Sequence, residues 1–326
     1  MQVVRRAVRR GAARRLLAAL GTMFGVSVLV FVALRVIPGN QVTASLGVEA
    51  GLLSPAQRAA LERYYGLNQS LPHQFASWLW SVLSGNLGYS VRTGQSVAAL
   101  TWRALPVTAE LAFLSAVVGT VVGVGLGMLA ASRPRSARDA SAQVFGLLGL
   151  AVPAFVLGSI IVTIVARKFG YFPNGEQYTG PVQNLSRNLQ QMLFPTVVLA
   201  LGFAAIVMRT TRTAMLEIAL LDFVRTARGK GLSRARIQVR HVLHNALIPI
   251  VTIVGIQFGY LLGGAIVVEQ IFALPGLGSQ LVTGINDREY AVVQSTVLLM
   301  AVAFVLVNCA ADLLYMKIDP RVRARD

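Results

Sequence analysis

Side chains able to do chemistry are sparse in this 326-residue chain. Of its three histidines, His241 and His244 stand three apart, a spacing that shares a helix face. Such a pair needs a third ligand nearby to hold a metal ion, and none stands close; an ordinary polar helix face explains it better. The one cysteine, Cys309, cannot form an internal disulfide or build a zinc site, and reads as a small packing residue. Glu110, Glu269 and Asp312 fall near the ends of apolar segments, where side chains reach toward water. With Gln257 and Asn308 they are too scattered for a proton relay. Nucleotide-binding G-x-x-x-x-G-K-[ST], metalloprotease H-E-x-x-H and hydrolase G-x-S-x-G patterns are all missing. The chain therefore reads as neither an ATPase nor any other enzyme, with no cofactor or metal of its own.

The elements that carry these residues are membrane helices. At 55% hydrophobic and 13% charged residues, the chain falls well short of the roughly 25% charge of a soluble protein. A formal charge of +17 would suit nucleic acid. The cations instead cluster between apolar runs, as juxtamembrane charges do, and argue against that partner. Six segments reach the about 20 apolar residues needed to span a bilayer: 16–37, 106–131, 143–166, 191–214, 249–272 and 291–316. The fold class is thus an all-α polytopic membrane protein with six transmembrane helices. Although a basic tail, 1–15, precedes it, the first segment is longer than a signal-peptide core and no A-x-A site follows, so it reads as a retained span.

Twenty-one of the 30 Lys and Arg residues fall on one side: the 1–15 tail, Arg133–Arg138, Arg209–Arg240 and the 317–326 tail. The positive-inside rule makes that side cytoplasmic, with both termini there. The other side carries one long segment, 38–105, which reads as helical. Ser54 is its N-cap and Pro55 its first helical residue. A second helix, about Pro72 to Leu83, sets Phe75, Trp78, Leu79 and Val82 on one face. That face suits the bilayer or the other spans, or an external partner. Gly119, Gly123 and Gly127 form a stripe for close helix approach, as do Gly255, Gly259 and Gly263, within the chain or against a partner or pathway. Pro153 and Pro195 can kink their spans.

The least apolar long stretch is the cytoplasmic loop, 215–248. Its "DFVRTARGKGLSRARIQVRHVLHNALIP", Asp222 to Pro249, extends the fourth span to Lys230. Gly231 then suits the left-handed residue that ends a helix. Ser233 stands as the N-cap of a short helix on which Leu232, Ala235, Val239, Val242 and Ala246 make an apolar stripe, with Arg234, Arg236 and Arg240 on other faces. Pro249 suits the first turn of the fifth span. Such an elbow fits anionic lipid or a groove on a cytosolic partner.

The chain resembles, along nearly its whole length, the membrane subunits of ABC importers, first-permease type, dipeptide/oligopeptide/nickel family. "VSVLVFVALRVIPGN", "GNLGYSVRTGQSV", "VPAFVLG" and "GGAIVVEQIFALPGLG" join the loop as five motifs in order. Arg225, Thr226 and Ala227 stand at the "EAA" position, Gly231 at its glycine and Leu243 at its later leucine. His244 replaces a proline common in other importers, as is usual in the peptide subgroup. The resemblance implies a type I ABC importer-like permease fold in a bacterial inner membrane. It also implies a second permease, two cytosolic ATPases that bind ATP and Mg, and an external substrate-binding protein. Residues Arg225 to Ala227, Gly231, Leu232, Ser233, Ala235, Val239, Val242 and Leu243 would couple to the ATPase. Gly85, Leu87, Gly88, Glu269, Phe272, Pro275, Gly276 and Gly278 would meet the binding protein or form a gate. The function implied is uptake of dipeptides or oligopeptides; nickel import and a non-transporting membrane scaffold are the other readings.

Overall fold

In the computed structural model, residues 2–36, 54–64, 68–170 and 178–318 are described. The Pro38-Gly39 exit from the first span, the ends of the external segment near 38–53 and the 319–326 tail lie outside them. So do the side chains of the basic N-terminal tail and of Asp312. The described secondary structure is helical apart from one isolated bridge, Tyr89 to Ser96. Its helices are α1 (Gln2–Val36), α2 (Pro55–Tyr64), α3 (Leu71–Leu83), α4 (Val97–Ser132), α5 (Ala137–Ala151), α6 (Ala154–Phe169), α7 (Leu185–Ile218) and α8 (Asp222–Gly229). They continue as α9 (Arg234–Ile271), α10 (Leu277–Asn286) and α11 (Tyr290–Ile318).

Among the described residues, five helices are long and apolar enough to cross a membrane: Leu17–Val36, Val97–Ser132, Leu185–Ile218, Arg234–Ile271 and Tyr290–Ala310. The pair α5 and α6 makes a sixth candidate, bent by 95°. Most helices outrun the apolar segments read from sequence, because a chain emerging from the hydrocarbon keeps its own backbone hydrogen bonds. The 143–166 span differs in kind: it is two helices rather than one. Pro153 drives Val152 into extended backbone (φ −88°, ψ 114°) and itself caps α6 in an extended conformation, so the helix cannot run through. Pro195, by contrast, lies inside an unbroken α7.

The chain divides into two compact units. The first comprises Met1–Val107 and Pro275–Val305. Here α2 opens on a reciprocal capping box: the Ser54 hydroxyl accepts from the Gln57 N–H (3.2 Å), and the Gln57 side chain accepts from the Ser54 N–H (2.9 Å). α3 lays its Phe75 face on α1. The Phe75 ring meets Phe31 edge-on at 5.1 Å and Phe24 at 6.1 Å, while Trp78 tilts against Phe31. The Arg35 guanidinium sits 3.4 Å over the Phe31 ring and donates to Gln74. So the apolar face of α3 rests on a span, leaving Trp80 and Leu83 exposed.

The second unit comprises Thr108–Leu274 and Leu306–Asp326. Its centre is α7, which buries Phe203, Ala204, Ala205, Val207 and Met208. Glycine faces close on it. A Cβ at Gly119, Gly123 or Gly127 would come within 2.6–2.7 Å of Phe203, Val207 or Thr211, and within 2.8–3.2 Å of α7 carbonyl oxygens. This stripe therefore packs within the chain. Gly146 and Gly149 of α5 do the same against Met208 and Ala205. The other stripe differs: Gly263 faces open space, and it is Gly264 that meets Leu199, at 2.9 Å.

Candidate functional site

The elbow is built where α8 stops. The Gly231 N–H donates to the Arg228 carbonyl (2.9 Å) and the Leu232 N–H reaches back to the Ala227 carbonyl (3.4 Å), the two bonds of a Schellman cap. That closure needs a left-handed residue, and Gly231 supplies it at φ +75°. Nothing lies within 4 Å of the place its Cβ would take, so conformation, not crowding, selects glycine here. Ser233 follows in extended backbone at the start of α9, without a side-chain capping bond. A compact apolar cluster holds the turn: Ala214 and Met215 from α7, Val224 and Ala227 from α8, and Ile237, Val242, Ala246 and Ile250 from α9. Leu232 and Leu243 pack against it.

The stripe read from sequence does not stay on one face. Val242 and Ala246 are buried, whereas Ala235 is exposed and Val239 is 54% exposed. The cause is a π-helical turn over Ile237–Leu243, which inserts a residue into the helical repeat. Burial then runs Ile237, Val242, Ala246, Ile250 at steps of five, four and four, and Ala235 and Val239 rotate outward. The expected short coupling helix is also not separate from the fifth span. α9 is continuous from Arg234, which puts Pro249 inside it instead of in its first turn. Outward from the elbow stand Leu220, Leu221, Phe223 and Val239, all exposed apolar residues, beside exposed Arg225, Thr226, Arg228 and Lys230. The ten residues expected to couple thus sort in two. Ala227, Leu232, Val242 and Leu243 hold the turn together; Arg225, Thr226, Gly231, Ser233, Ala235 and Val239 face out.

The second expected set sorts the same way. In the first unit Gly85 is exposed at φ +85°, Leu87 and Gly88 are half-buried, and the Gly88 N–H (φ +81°) donates to the Asn86 side-chain oxygen. Pro275 is exposed, but Gly276 and Gly278 are buried. In the second unit Glu269 is wholly buried and accepts from the Thr108 hydroxyl at 2.6 Å, and Phe272 is 1% exposed. Buried groups cannot meet a docking protein directly, so in this conformation surface contact is open only to Gly85, Leu87, Gly88 and Pro275.

Residues 123–324 match the family model described as binding-protein-dependent transport system inner membrane component. The chain belongs to this family. It is 36% identical over 310 residues to a probable peptide ABC transporter permease of Sinorhizobium fredii, covering 95% of this chain and 98% of that one. An oligopeptide transport system permease of Bacillus subtilis is 34% identical over 311 residues (95% and 98%). A glutathione transport system permease of Escherichia coli is 36% identical over 312 residues (95% and 97%). In fold, an inward-facing MetNI methionine ABC transporter chain aligns with a TM-score of 0.52 at 21% identity, covering 68% of this chain and 97% of that one. The protein is accordingly a multi-pass inner-membrane permease whose transport system includes a binding protein and an ATPase.

Counting charges alone misses three features of this permease. Asp139, 1% exposed, receives both Nε and a terminal nitrogen of Arg212 (2.6 and 2.8 Å), the Arg135 N–H and the Gln143 amide. This clamp ties the start of α5 to α7; its one sequence signal is Ser136 capping the Asp139 N–H. In the loop before α7, the Tyr178 phenol donates to the Glu110 carboxylate, and its burial, then that partner, hold its proton above the ordinary phenol range. In the first unit, Glu289 accepts from the Ser90 hydroxyl (2.9 Å) and the Arg92 N–H (2.8 Å), while the Arg92 side chain pairs with Asp287. No sequence pattern links those positions.

Proposed function

We propose that this chain is one of two permease subunits of an ATP-driven importer of short peptides. It forms half of the translocation pathway, with two cytosolic ATPases on the elbow side and a binding protein on the other. Both termini face the cytoplasm. ATP-driven closure of the ATPases pushes the exposed face of α8 and the start of α9. Because the Gly231 turn shares its apolar cluster with α7 and the rest of α9, that push moves the two helices together. The observation that supports coupling most strongly is the split of the loop into a buried half that grips the spans and an outward half, Phe223, Ala235 and Val239, left without cover. ATP and Mg belong to the partner subunits. Peptide as substrate class rests on the named relatives, all at 34–36% identity along nearly the full chain. Gly85, Leu87, Gly88 and Pro275 contribute to binding-protein contact, and Glu269 and Phe272 to a gate. Uptake of a labelled dipeptide and of radioactive nickel, in cells with and without this gene, tests the reading. Dipeptide uptake that depends on the gene is expected; nickel uptake that depends on it, without dipeptide uptake, would contradict it.

A further inference from the structure

A cavity of about 490 Å³ lies within the first unit, in the size range of small-molecule sites. Leu100, Arg103 and Ala104 line it from one face of α4, three and four residues apart, and Gln280 and Thr283 from α10. Its carboxylates are already committed: Glu289 to Ser90 and the Arg92 N–H, Asp287 to the Arg92 guanidinium. Arg103 is different. Its exposed guanidinium has no hydrogen bond or ion pair among the described residues, so a fork of charged donors lines the cavity open to a ligand. Gln280 spends both amide hydrogens on Thr101 and Thr296 (3.1 Å each), which leaves its carbonyl oxygen as an acceptor. A lone cation suits an anion; a lone cation beside a spare acceptor, in a space far larger than one ion, suits a molecule with a carboxylate and N–H groups.

We propose that this cavity is a subsite of the permease, with Arg103 receiving the C-terminal carboxylate of a free peptide in transit. The inference rests on the peptide reading above. The guanidinium pairs with the carboxylate, and the Gln280 carbonyl accepts a peptide N–H. Phosphate or another small anion would engage only Arg103 and leave most of the cavity empty.

Initial uptake rates of a free dipeptide and of its C-terminal amide, measured with Arg103→Gln and Arg103→Lys in the full assembly, read this directly. The same binding protein serves every variant, so its own selectivity cancels from the comparison. Arg103→Gln should slow the free dipeptide roughly tenfold, the value of one charge-assisted contact, and leave the amide unchanged. Arg103→Lys keeps the charge and should restore most of the rate. Equal changes for both substrates, or none, would overturn the site. Saturation-transfer NMR on the purified assembly without its binding protein gives a second reading. Dipeptide signal should be present with the native chain and lost with Arg103→Gln; equal signal from both, or inorganic phosphate displacing none of it, would overturn the proposal. No dipeptide uptake by the native assembly would instead defeat the peptide reading itself, and this site with it.

Discussion

Replacing Gly231 by valine tests whether the elbow transmits force. The residue stands at φ +75° with open space around it, so a side chain meets no neighbour and the whole cost is conformational. Holding an L-residue in the left-handed region costs about 1–2 kcal/mol, and a β-branched residue is a stronger outlier there. If the backbone escapes instead, it gives up the Gly231 and Leu232 bonds to α8, each worth about 0.5–1.5 kcal/mol. The strain lowers the closed elbow relative to an opened one by roughly five- to thirtyfold, and loss of both bonds by roughly five- to a hundredfold or more. The spans have their own hydrogen bonds and packing, so the amount of protein in the membrane should stay near the native level. Dipeptide uptake should be lost. Gly231→Asn, which tolerates the left-handed region, should keep a substantial part of it. Native-level uptake by Gly231→Val, or equal loss in Gly231→Asn, would mean that the left-handed turn does not transmit force.

Three further substitutions separate neighbouring ideas. Val239→Asp should leave protein level unchanged and abolish copurification of the ATPase in mild detergent, whereas Val242→Asp, in the buried cluster, should destroy the folded protein. Gly123→Leu would force a side chain against Val207 and the Ala204 carbonyl, and should cost at least about 1–3 kcal/mol, read as a lower melting temperature in detergent; Gly263→Ala, facing open space, should melt as the native chain does. Arg212→Ala strands the buried Asp139 carboxylate and should destabilise by about 3 kcal/mol in the same assay, and adding Asp139→Asn should recover part of the loss.

Features set by local chemistry were legible in the sequence. Ser54 and Pro55 open a helix, Gly231 ends one, and apolar length marks the spans, because each depends on a few adjacent residues. The register of Val239 against Val242 was not, since a π-turn shifts every later residue around the helix without any composition of its own. Pro153 was legible as a kink, but whether a proline breaks a helix, as here, or sits within one, as Pro195 does, depends on what the surroundings supply. The Asp139–Arg212 clamp joins positions 73 apart, and Glu269 is buried by elements distant in sequence. Such pairs are selected by tertiary packing, which adjacent residues do not encode. Motif resemblance filled much of that gap for the family, though it could not sort the residues expected to couple into those that hold the turn and those that face out.

The function proposed for this chain is to carry peptides inward under the drive of partner ATPases. Proteoliposomes containing the chain, its second permease and the ATPases, with ATP on the elbow side and binding protein on the other, measure it directly. Labelled dipeptide should accumulate, and its accumulation should require ATP, the binding protein and an intact Gly231 turn. Dipeptide movement that proceeds without ATP or binding protein, or no movement at all from the complete assembly, would contradict it.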